Sequence, residues 1–217
     1  MSKKITAILG LIIWLLPIVY LMRVYPSLPK IIPLHYGAEG LPDRFGDKFE
    51  IIETMGFMNL INLLVFLLII NLKKIDPKRT AEYSAITFNK MALLLVFFIS
   101  TIQFYIIHIS TATDWKESHT LYIILGVFFM LMGNLMHSIK HNYFVGIRTP
   151  WTLESEDNWR ATHQLGSKVW FIGGLIIVIT NIFVPARIGF IIFISATIIM
   201  ALIPIIYSYV YFKSTKK

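Results

Sequence analysis

The sequence contains no cysteine, so the chain can form neither a disulfide nor a thiolate metal site, and it has no thiol nucleophile. Charge is also scarce: Asp, Glu, Lys and Arg make up 15% of the 217 residues, whereas 56% are hydrophobic. The mean hydropathy of +0.69 lies far from the balance of a water-soluble domain. These values exclude an ordinary soluble domain and indicate an integral membrane protein.

Acidic residues are absent from the middle of every long apolar stretch of the chain. A charged side chain at the bilayer centre costs roughly 2.5–3.5 kcal/mol on insertion scales, and it is retained mainly where ions or protons pass. The absence therefore argues against a proton-coupled transporter. We interpret the uncharged polar residues of these stretches as hydrogen-bonding groups between helices. They are Asn59, Asn62, Gln103, Asn134 and Asn181.

What the chain does have is a series of apolar runs, each near the ~20 residues that a spanning helix needs. They cover approximately residues 5–25, 55–72, 88–109, 119–137, 167–184 and 188–212. We therefore predict an all-α integral membrane protein, one membrane domain over residues 1–217 with a bundle of about six transmembrane helices. The first run is longer than the apolar core of a signal peptide, and no small-x-small cleavage site follows it, so we expect it to remain as a helix.

The basic residues predict the orientation of this bundle. The net charge is +8, but Lys and Arg are scattered at the ends of apolar runs and form no patch, which indicates topology and not nucleic-acid binding. With the N-terminus inside, thirteen fall in inner segments and five in outer segments. We predict that both termini and the 138–166 loop are cytoplasmic and that the 26–54 loop is extracytoplasmic. The inner set is Lys3, Lys4, Lys73, Lys74, Lys78, Arg79, Lys140, Arg148, Arg160, Lys168, Lys213, Lys216 and Lys217, and the outer set is Lys30, Arg44, Lys48, Lys116 and Arg187.

The outer loop, residues 26–54, is rich in residues that restrict or redirect the backbone. Pro29 and Pro33 favour extended chain, and the glycines that follow supply successive turns, so we predict a compact ordered loop. Such a loop can present polar side chains to a ligand arriving from outside. The alternative is that the same side chains only bond the backbone of the loop. The predicted ligand-binding residues are His35, Gly40, Pro42, Asp43, Arg44, Gly46 and Lys48.

The inner loop, residues 138–166, carries a dense polar and aromatic motif. Pro150 is expected to hold Thr149 extended, and Gly146 is free to adopt positive φ, so Gly146 to Trp151 should form a turn. We predict that Thr152 then caps a short interfacial helix at about 153–165, ending near Gly166. On it Trp159 and His163 share a face, which we expect to rest on the membrane interface. The alternative is a membrane-surface anchor without a partner.

Histidines invite a metal interpretation, although neither loop has the His-Glu-x-x-His pattern of a zinc enzyme. His137, His141 and His163 are one possible inner set. On the outer side, His35, His108 and His119 could converge with Asp43 or Asp114. We predict no cofactor and no catalytic residue, and the outer histidines are the nearest approach to a metal site.

Two runs of the sequence carry a further signal. One is Leu28 to His35 followed by Gly40 to Lys48, and the other is Asn142 to Leu153 followed by Trp159 and Thr162-His163. Together they resemble the SdpI family of bacterial membrane proteins. The resemblance implies a non-enzymatic protein of the bacterial cell membrane that gives immunity to a secreted toxic peptide. It also implies a signalling role, in which the toxin-engaged protein holds a cytosolic transcriptional repressor at the membrane. The predicted signalling residues are Asn142, Tyr143, Gly146, Arg148, Thr149, Pro150, Trp151, Trp159 and His163.

A second class of function remains open from the sequence. A membrane-embedded metal-dependent enzyme or a small-solute transporter would use the outer histidines instead. The two classes differ in a measurable way, because only the enzyme requires a stoichiometric metal.

Overall fold

The computed structural model describes residues 2–75, 85–112, 114 and 118–215. Five of the basic residues used to predict the orientation, Lys78, Arg79, Lys116, Lys216 and Lys217, lie outside these ranges. Within them the chain forms seven α-helices, two strands and a 3-10 turn at Tyr25–Ser27. The elements are α1 Lys3–Val24, β1 Ile31–Tyr36, β2 Pro42–Asp47, α2 Glu50–Ile75, α3 Ala85–Ser110, α4 Thr120–Met136, α5 Pro150–Glu154, α6 Glu156–Phe183 and α7 Ala186–Thr215.

In the described part of the chain, five helices are long and apolar enough to cross a membrane, namely α1, α2, α3, α6 and α7. They correspond to five of the six predicted spans. The remaining run forms α4, which is apolar but has 17 residues. At about 1.5 Å per residue α4 is roughly 25 Å long, less than the ~30 Å of a hydrocarbon core. The mostly helical architecture agrees with the predicted membrane bundle.

The outer loop, which was predicted as a compact ordered loop of an all-α protein, contains an antiparallel hairpin of β1 and β2 that the prediction did not include. Ile31 lies opposite Asp47, Ile32 opposite Gly46 and Pro33 opposite Phe45. A proline is tolerated in β1 because both strands of a two-stranded sheet are edges, and a missing N–H can face outward. Irregular pairing follows on either side of His35.

The chain divides into two compact units, the first comprising residues 1–72 and 88–121. Its core beneath the hairpin is an apolar cluster of Leu28, Ile32, Ile51, Met55 and Ile107. Between α2 and α3, the side-chain amide of Asn62 donates to Ser100 Oγ at 3.1 Å, which confirms the predicted helix-to-helix hydrogen bond at that residue. This unit therefore packs the hairpin directly onto the ends of its helices.

The second unit comprises residues 73–87 and 122–217. Here α4 and α6 approach through small residues: a Cβ atom on Gly133 would lie 2.6 Å from the backbone nitrogen of Phe171, and one on Gly174 would lie 2.5 Å from the carbonyl oxygen of Gly126. Such backbone contact is typical of membrane helices, whose association depends on close packing. Aromatic rings fill the space beside it, with Phe129 edge-on to Trp170.

Candidate functional site

The tip of the outer hairpin depends on a glycine. Gly40 has φ +70°, a conformation that other residues rarely adopt, and it donates to the carbonyl of Gly37 at 2.9 Å. A Cβ atom here would lie 2.7 Å from the carbonyl oxygen of Ser118. The hairpin tip therefore rests against the chain just before α4, and a larger residue would lift it.

His35 and Asp43 form the polar centre of the hairpin surface. His35 Nδ1 and Asp43 Oδ1 are 2.6 Å apart, and both side chains are more than half exposed. Arg44 lies opposite His35 in the strand pairing and is also exposed. The structure thus brings three of the predicted ligand-binding residues together, and His35 and Asp43 bond each other.

The other predicted binding residues shape the hairpin. Lys48 turns inward, with Nζ 4.8 Å from the centre of the Tyr25 ring and 3.5 Å from its carbonyl oxygen. Pro42 pairs with Tyr36, and Gly46 leaves no room for a side chain beside Leu34. Lys48 therefore contacts Tyr25, the residue just before the loop.

Tyr36 is a residue of the hairpin that the sequence did not single out. Its hydroxyl is buried and has no hydrogen-bond partner in the part of the chain that the structure describes. Burial raises the pKa of Tyr36 to about 12, and the nearby Tyr105 adds to the rise. The phenol therefore stays neutral.

In the described part of the chain, the histidines do not assemble a metal site with one another or with acidic residues. Among residues 2–75, 85–112, 114 and 118–215, no three His, Asp or Glu side chains lie close enough to hold a metal ion. The convergence of His35, His108 and His119 with Asp43 or Asp114 does not occur there. On the inner side, His141 Nε2 lies 3.1 Å from the Leu153 carbonyl, and both ring nitrogens of His163 have other partners.

The inner motif begins with an asparagine that organises its own loop. Asn142 is 1% exposed, and its Oδ1 accepts the N–H groups of Phe144 at 2.7 Å and Val145 at 2.8 Å. Its amide nitrogen donates to the carbonyls of Lys140 and Val145. One buried side chain thus satisfies four backbone groups that no helix or sheet would satisfy.

The turn that follows closes on His163. Gly146 has φ +120°, as its predicted freedom allows, and the N–H of Ile147 donates to His163 Nε2 at 3.0 Å. His163 Nδ1 is 2.8 Å from the carbonyl oxygen of Trp159. Because Nε2 accepts and Nδ1 faces a carbonyl oxygen, the imidazole is the neutral Nδ1–H tautomer. A Cβ atom on Gly146 would collide with this ring.

Trp159 is where the interface prediction was wrong. Its side chain is 1% exposed, and its indole N–H donates to the carbonyl of Ile139 at 2.7 Å. The ring stacks on His163 with centroids 4.1 Å apart and meets His141 edge-on at 5.2 Å. The two residues do share a face, as predicted, but that face is the core of the inner motif.

The helix boundaries of the motif also differ from those predicted. Thr149, extended as expected at φ −104° and ψ 161°, caps α5, and Thr152 completes a capping box inside it. Ser155 then caps α6, which continues through Gly166 to Phe183. The predicted separate interfacial helix is therefore a five-residue turn of helix followed directly by a long helix.

A buried polar network joins the motif to α7. Thr149 Oγ1 is 3.0 Å from Ser208 Oγ, and the Asn158 amide donates to the Ser208 carbonyl at 2.9 Å. Asn158 and Ser208 were missed by the sequence analysis, which named Thr162 only as part of the run that resembles the SdpI family. Thr162 Oγ1 donates to Asn158 Oδ1 four residues earlier, and this i, i+4 spacing was the available signal.

The exposed part of the motif is small. Arg148 is exposed, and its Nη1 donates to the carbonyl of Tyr143 at 2.6 Å. Tyr143 and Phe144 are each about 40% exposed. Trp151 packs on Tyr209 of α7, with ring centroids 5.0 Å apart. The internally bonded segment before α5 therefore presents the guanidinium of Arg148 and two aromatic rings.

Residues 138–208, which hold the whole inner motif and Ser208, match the SdpI/YfhL protein family. Over these residues the chain is similar to this family. Residues 12–60, which include the hairpin, match a domain of unknown function, DUF1648. A curated protein, the immunity protein SdpI of Bacillus subtilis (strain 168), is 29% identical to this chain over 210 residues, covering 95% of each chain. No solved structure matches the chain. The hairpin thus lies inside the region that matches DUF1648, and the inner motif lies inside the region that matches the SdpI/YfhL family.

Proposed function

We propose that this protein is a membrane immunity protein that binds an extracellular antimicrobial peptide and keeps it from inserting into the bilayer. The observation that carries the proposal is the similarity to an immunity protein along 95% of both chains. It runs through the outer hairpin and the inner motif alike. The protein then acts without catalysis and without a resident metal.

The proposed arrangement is six spans in a bacterial cell membrane, with α4 as the fourth and both termini in the cytoplasm. The excess of Lys and Arg in alternate connecting segments supports this topology. The hairpin then faces the outside, where it is the first part of the protein that a secreted peptide meets.

The hairpin offers a mixed surface suited to an amphipathic peptide. His35, Asp43 and Arg44 supply hydrogen-bonding and charged groups, while Phe45 and Phe49 are 45% and 56% exposed. Aromatic side chains flanked by polar groups are typical of peptide-binding surfaces. We propose that the protein binds the peptide and does not transport it, because no acidic residue lies in the middle of an apolar run.

The inner motif is the proposed reporter of this binding. Its exposed group, Arg148, carries five N–H donors in a planar fork, a geometry suited to the carboxylate of a protein partner. A cytosolic transcriptional repressor is the proposed partner. The buried stack of Trp159 and His163 and the network at Ser208 hold that loop rigid.

Survival under peptide challenge tests the proposal. Expression in a sensitive strain should raise survival against the secreted peptides of the source organism. His35→Ala and Asp43→Ala should each reduce survival at unchanged membrane abundance, whereas Lys30→Ala, which removes an exposed charge beside the hairpin, should not. Equal killing with and without the wild-type protein, across those peptides, would refute the proposal.

A further inference from the structure

Helix α7 indicates where the bilayer lies on the second unit. Its charged residues are Arg187 and Lys213, one near each end, and the uncharged stretch 188–212 between them is roughly 37 Å long. A hydrocarbon core of ~30 Å, centred on this stretch, ends close to Ser208 on the side of the inner motif. Tyrosines are frequent at membrane interfaces, and three of them surround this level, namely Tyr207, Tyr209 and Tyr211.

Contacts between α6 and α7 give the depth of Lys168. A Cβ atom on Gly166 would lie 3.6 Å from Pro204 Cγ, and the indole N–H of Trp170 donates to the carbonyl of Met200 at 3.1 Å. Lys168 lies between Gly166 and Trp170 on α6, so its level is between those of Pro204 and Met200. That level is roughly 6–12 Å inside the edge of the hydrocarbon core.

A lysine at this depth requires an anionic partner. Lys168 is exposed, and the nearest acidic residue of α6 is Asp157, eleven residues earlier and roughly 16 Å away along the helix. Gln164 and Arg160 precede Lys168 at four-residue spacing and are also exposed. Side chains lean toward the N-terminus of their helix, which for α6 is the inner end. Lys168 is therefore the deepest residue of a polar track, Arg160, Gln164 and Lys168, that leads to the headgroups.

The neighbouring helix α4 ends at the same depth. A Cβ atom on Gly166 would lie 2.8 Å from Sδ of Met136, which is the last residue of α4. His137 and Ser138 follow it and are exposed. Polar groups of two adjacent helices thus reach the level of Lys168, which indicates that lipid headgroups also reach this level here.

Beyond Lys168, an apolar groove of about 450 Å³ runs between α6 and α7. Ile172 and Ile176, which continue the four-residue spacing of the polar track, line it on α6. On α7 it extends from Ile203 to Ile191, a length of roughly 18 Å. The acyl chains of one leaflet span half of the ~30 Å core, or about 15 Å. The groove is therefore long enough for one acyl chain whose headgroup lies at Lys168.

We propose that the polar track and this groove together bind one anionic phospholipid, with its phosphate at Lys168 and Gln164 and one acyl chain between α6 and α7. This site does not depend on the immunity function. A zwitterionic lipid would bring an ammonium group as well, and α6 has no carboxylate near Lys168 to bind it. An apolar peptide segment would fill the groove but leave Lys168 without a counter-ion.

The acyl-chain position is tested by filling the groove. The probe is phosphatidylglycerol with a photoreactive diazirine in one acyl chain, added at a low fraction to phosphatidylcholine nanodiscs that contain the full-length protein. Light should attach it to the groove residues of the wild-type protein. Ser195→Leu, at an exposed lining residue, should lower that yield about fivefold or more, because the added side chain displaces apolar contacts of the acyl chain. Ala201→Leu is the matched control, since Ala201 is exposed on α7 outside the groove, and it should leave the yield unchanged.

The headgroup is tested with a phosphatidylcholine probe that carries the same diazirine. The wild-type protein should cross-link phosphatidylglycerol about fivefold more, the effect of one basic residue at an anionic lipid. Lys168→Gln should bring the ratio of the two yields close to one, whereas Lys168→Arg should preserve it. Lys213→Gln removes an exposed charge at the end of α7, outside the track, and should also preserve it.

Three results would overturn the proposal. They are equal yields from the two lipid probes in the wild-type protein, a preference for phosphatidylglycerol that survives Lys168→Gln, and an unchanged groove yield in Ser195→Leu. Melting temperatures in detergent identify a folding defect in Ser195→Leu. In that case Lys168→Gln decides, because it changes an exposed side chain that does not line the groove.

Discussion

Trp159 and His163 lie one turn apart on α6 with their rings stacked, and the free ring nitrogen of His163 accepts the N–H of Ile147. The long helix that is proposed to cross the membrane therefore also holds the inner turn in shape. Both side chains are 1% exposed, so their role is internal. We therefore expect the proposed partner to contact the exposed residues around Arg148.

Gly146→Ala should destabilise the protein by about 1–3 kcal/mol, because a left-handed φ is strained for alanine and the new methyl group meets the His163 ring. Thermal unfolding of the purified protein in detergent measures this. Gly56→Ala is the matched control, since its Cβ atom has open space within a helix, and it should be neutral or slightly stabilising. Equal melting temperatures for the two variants would contradict the described turn.

His163→Phe should keep an aromatic ring beside Trp159 but remove the acceptor for the Ile147 N–H. Leaving that group unsatisfied should cost about 1–3 kcal/mol. Hydrogen exchange at the Ile147 amide should become faster, while exchange in the middle of α6 stays slow. His137→Phe makes the same change at an exposed histidine, and it should alter neither the stability of the protein nor the exchange rate at Ile147. Unchanged exchange at Ile147 in His163→Phe would argue against the described hydrogen bond.

Cysteine labelling should show Ser27 outside and Glu156 inside, because the chain has no other cysteine to react. Both positions are exposed. With an impermeant maleimide, Ser27→Cys should label in intact cells and Glu156→Cys only after lysis. The pair also tests α4: without α4 as a span, two crossings separate Ser27 from the inner motif in place of three. Labelling of both in intact cells would mean that α4 does not cross.

Arg148→Lys should impair inward signalling while leaving the protein folded. A lysine cannot donate both to the Tyr143 carbonyl and to a carboxylate in the planar geometry of a guanidinium. Induction of the immunity gene under peptide challenge should fall several-fold. Arg160→Lys is the control, because Arg160 is exposed on α6 and only makes a 3.7 Å ion pair with Asp157. A normal response in Arg148→Lys would leave the loop as a membrane anchor.

Much of the helical architecture could be predicted from the lengths of the apolar runs, and the Gly146 turn from the chemistry of glycine and proline. The hairpin could not, because β1 contains Pro33 and its alternation is broken by irregular pairing next to His35. The start of α5 was misplaced for a related reason. Thr149, Thr152 and Ser155 are all suitable caps, and only the fold selects between them.

The contacts of buried side chains were harder to predict than the positions of the helices. Trp159 was placed at the interface because an indole near a helix end usually lies there, whereas here the Ile139 carbonyl satisfies its N–H and allows burial. Gln103 and Asn59 were expected to bond between helices. Gln103 does reach the Met55 carbonyl, but the side-chain oxygens of Gln103 and Asn59 have no hydrogen-bond partner among the residues that the structure describes. Which way a polar side chain faces depends on helix rotation, which composition does not determine.

The shortness of α4 bears on the lipid around the protein. If it crosses the bilayer, its roughly 25 Å must be matched by a hydrocarbon core that is usually about 30 Å thick. A helix that is too short is accommodated by local thinning, at a cost of fractions of a kcal/mol per Å of mismatch. Tilting would worsen the mismatch, and the backbone contact with α6 at Gly133 restricts sliding. Bilayers with shorter acyl chains should therefore stabilise this protein, and adaptation of membrane thickness to temperature would alter its stability.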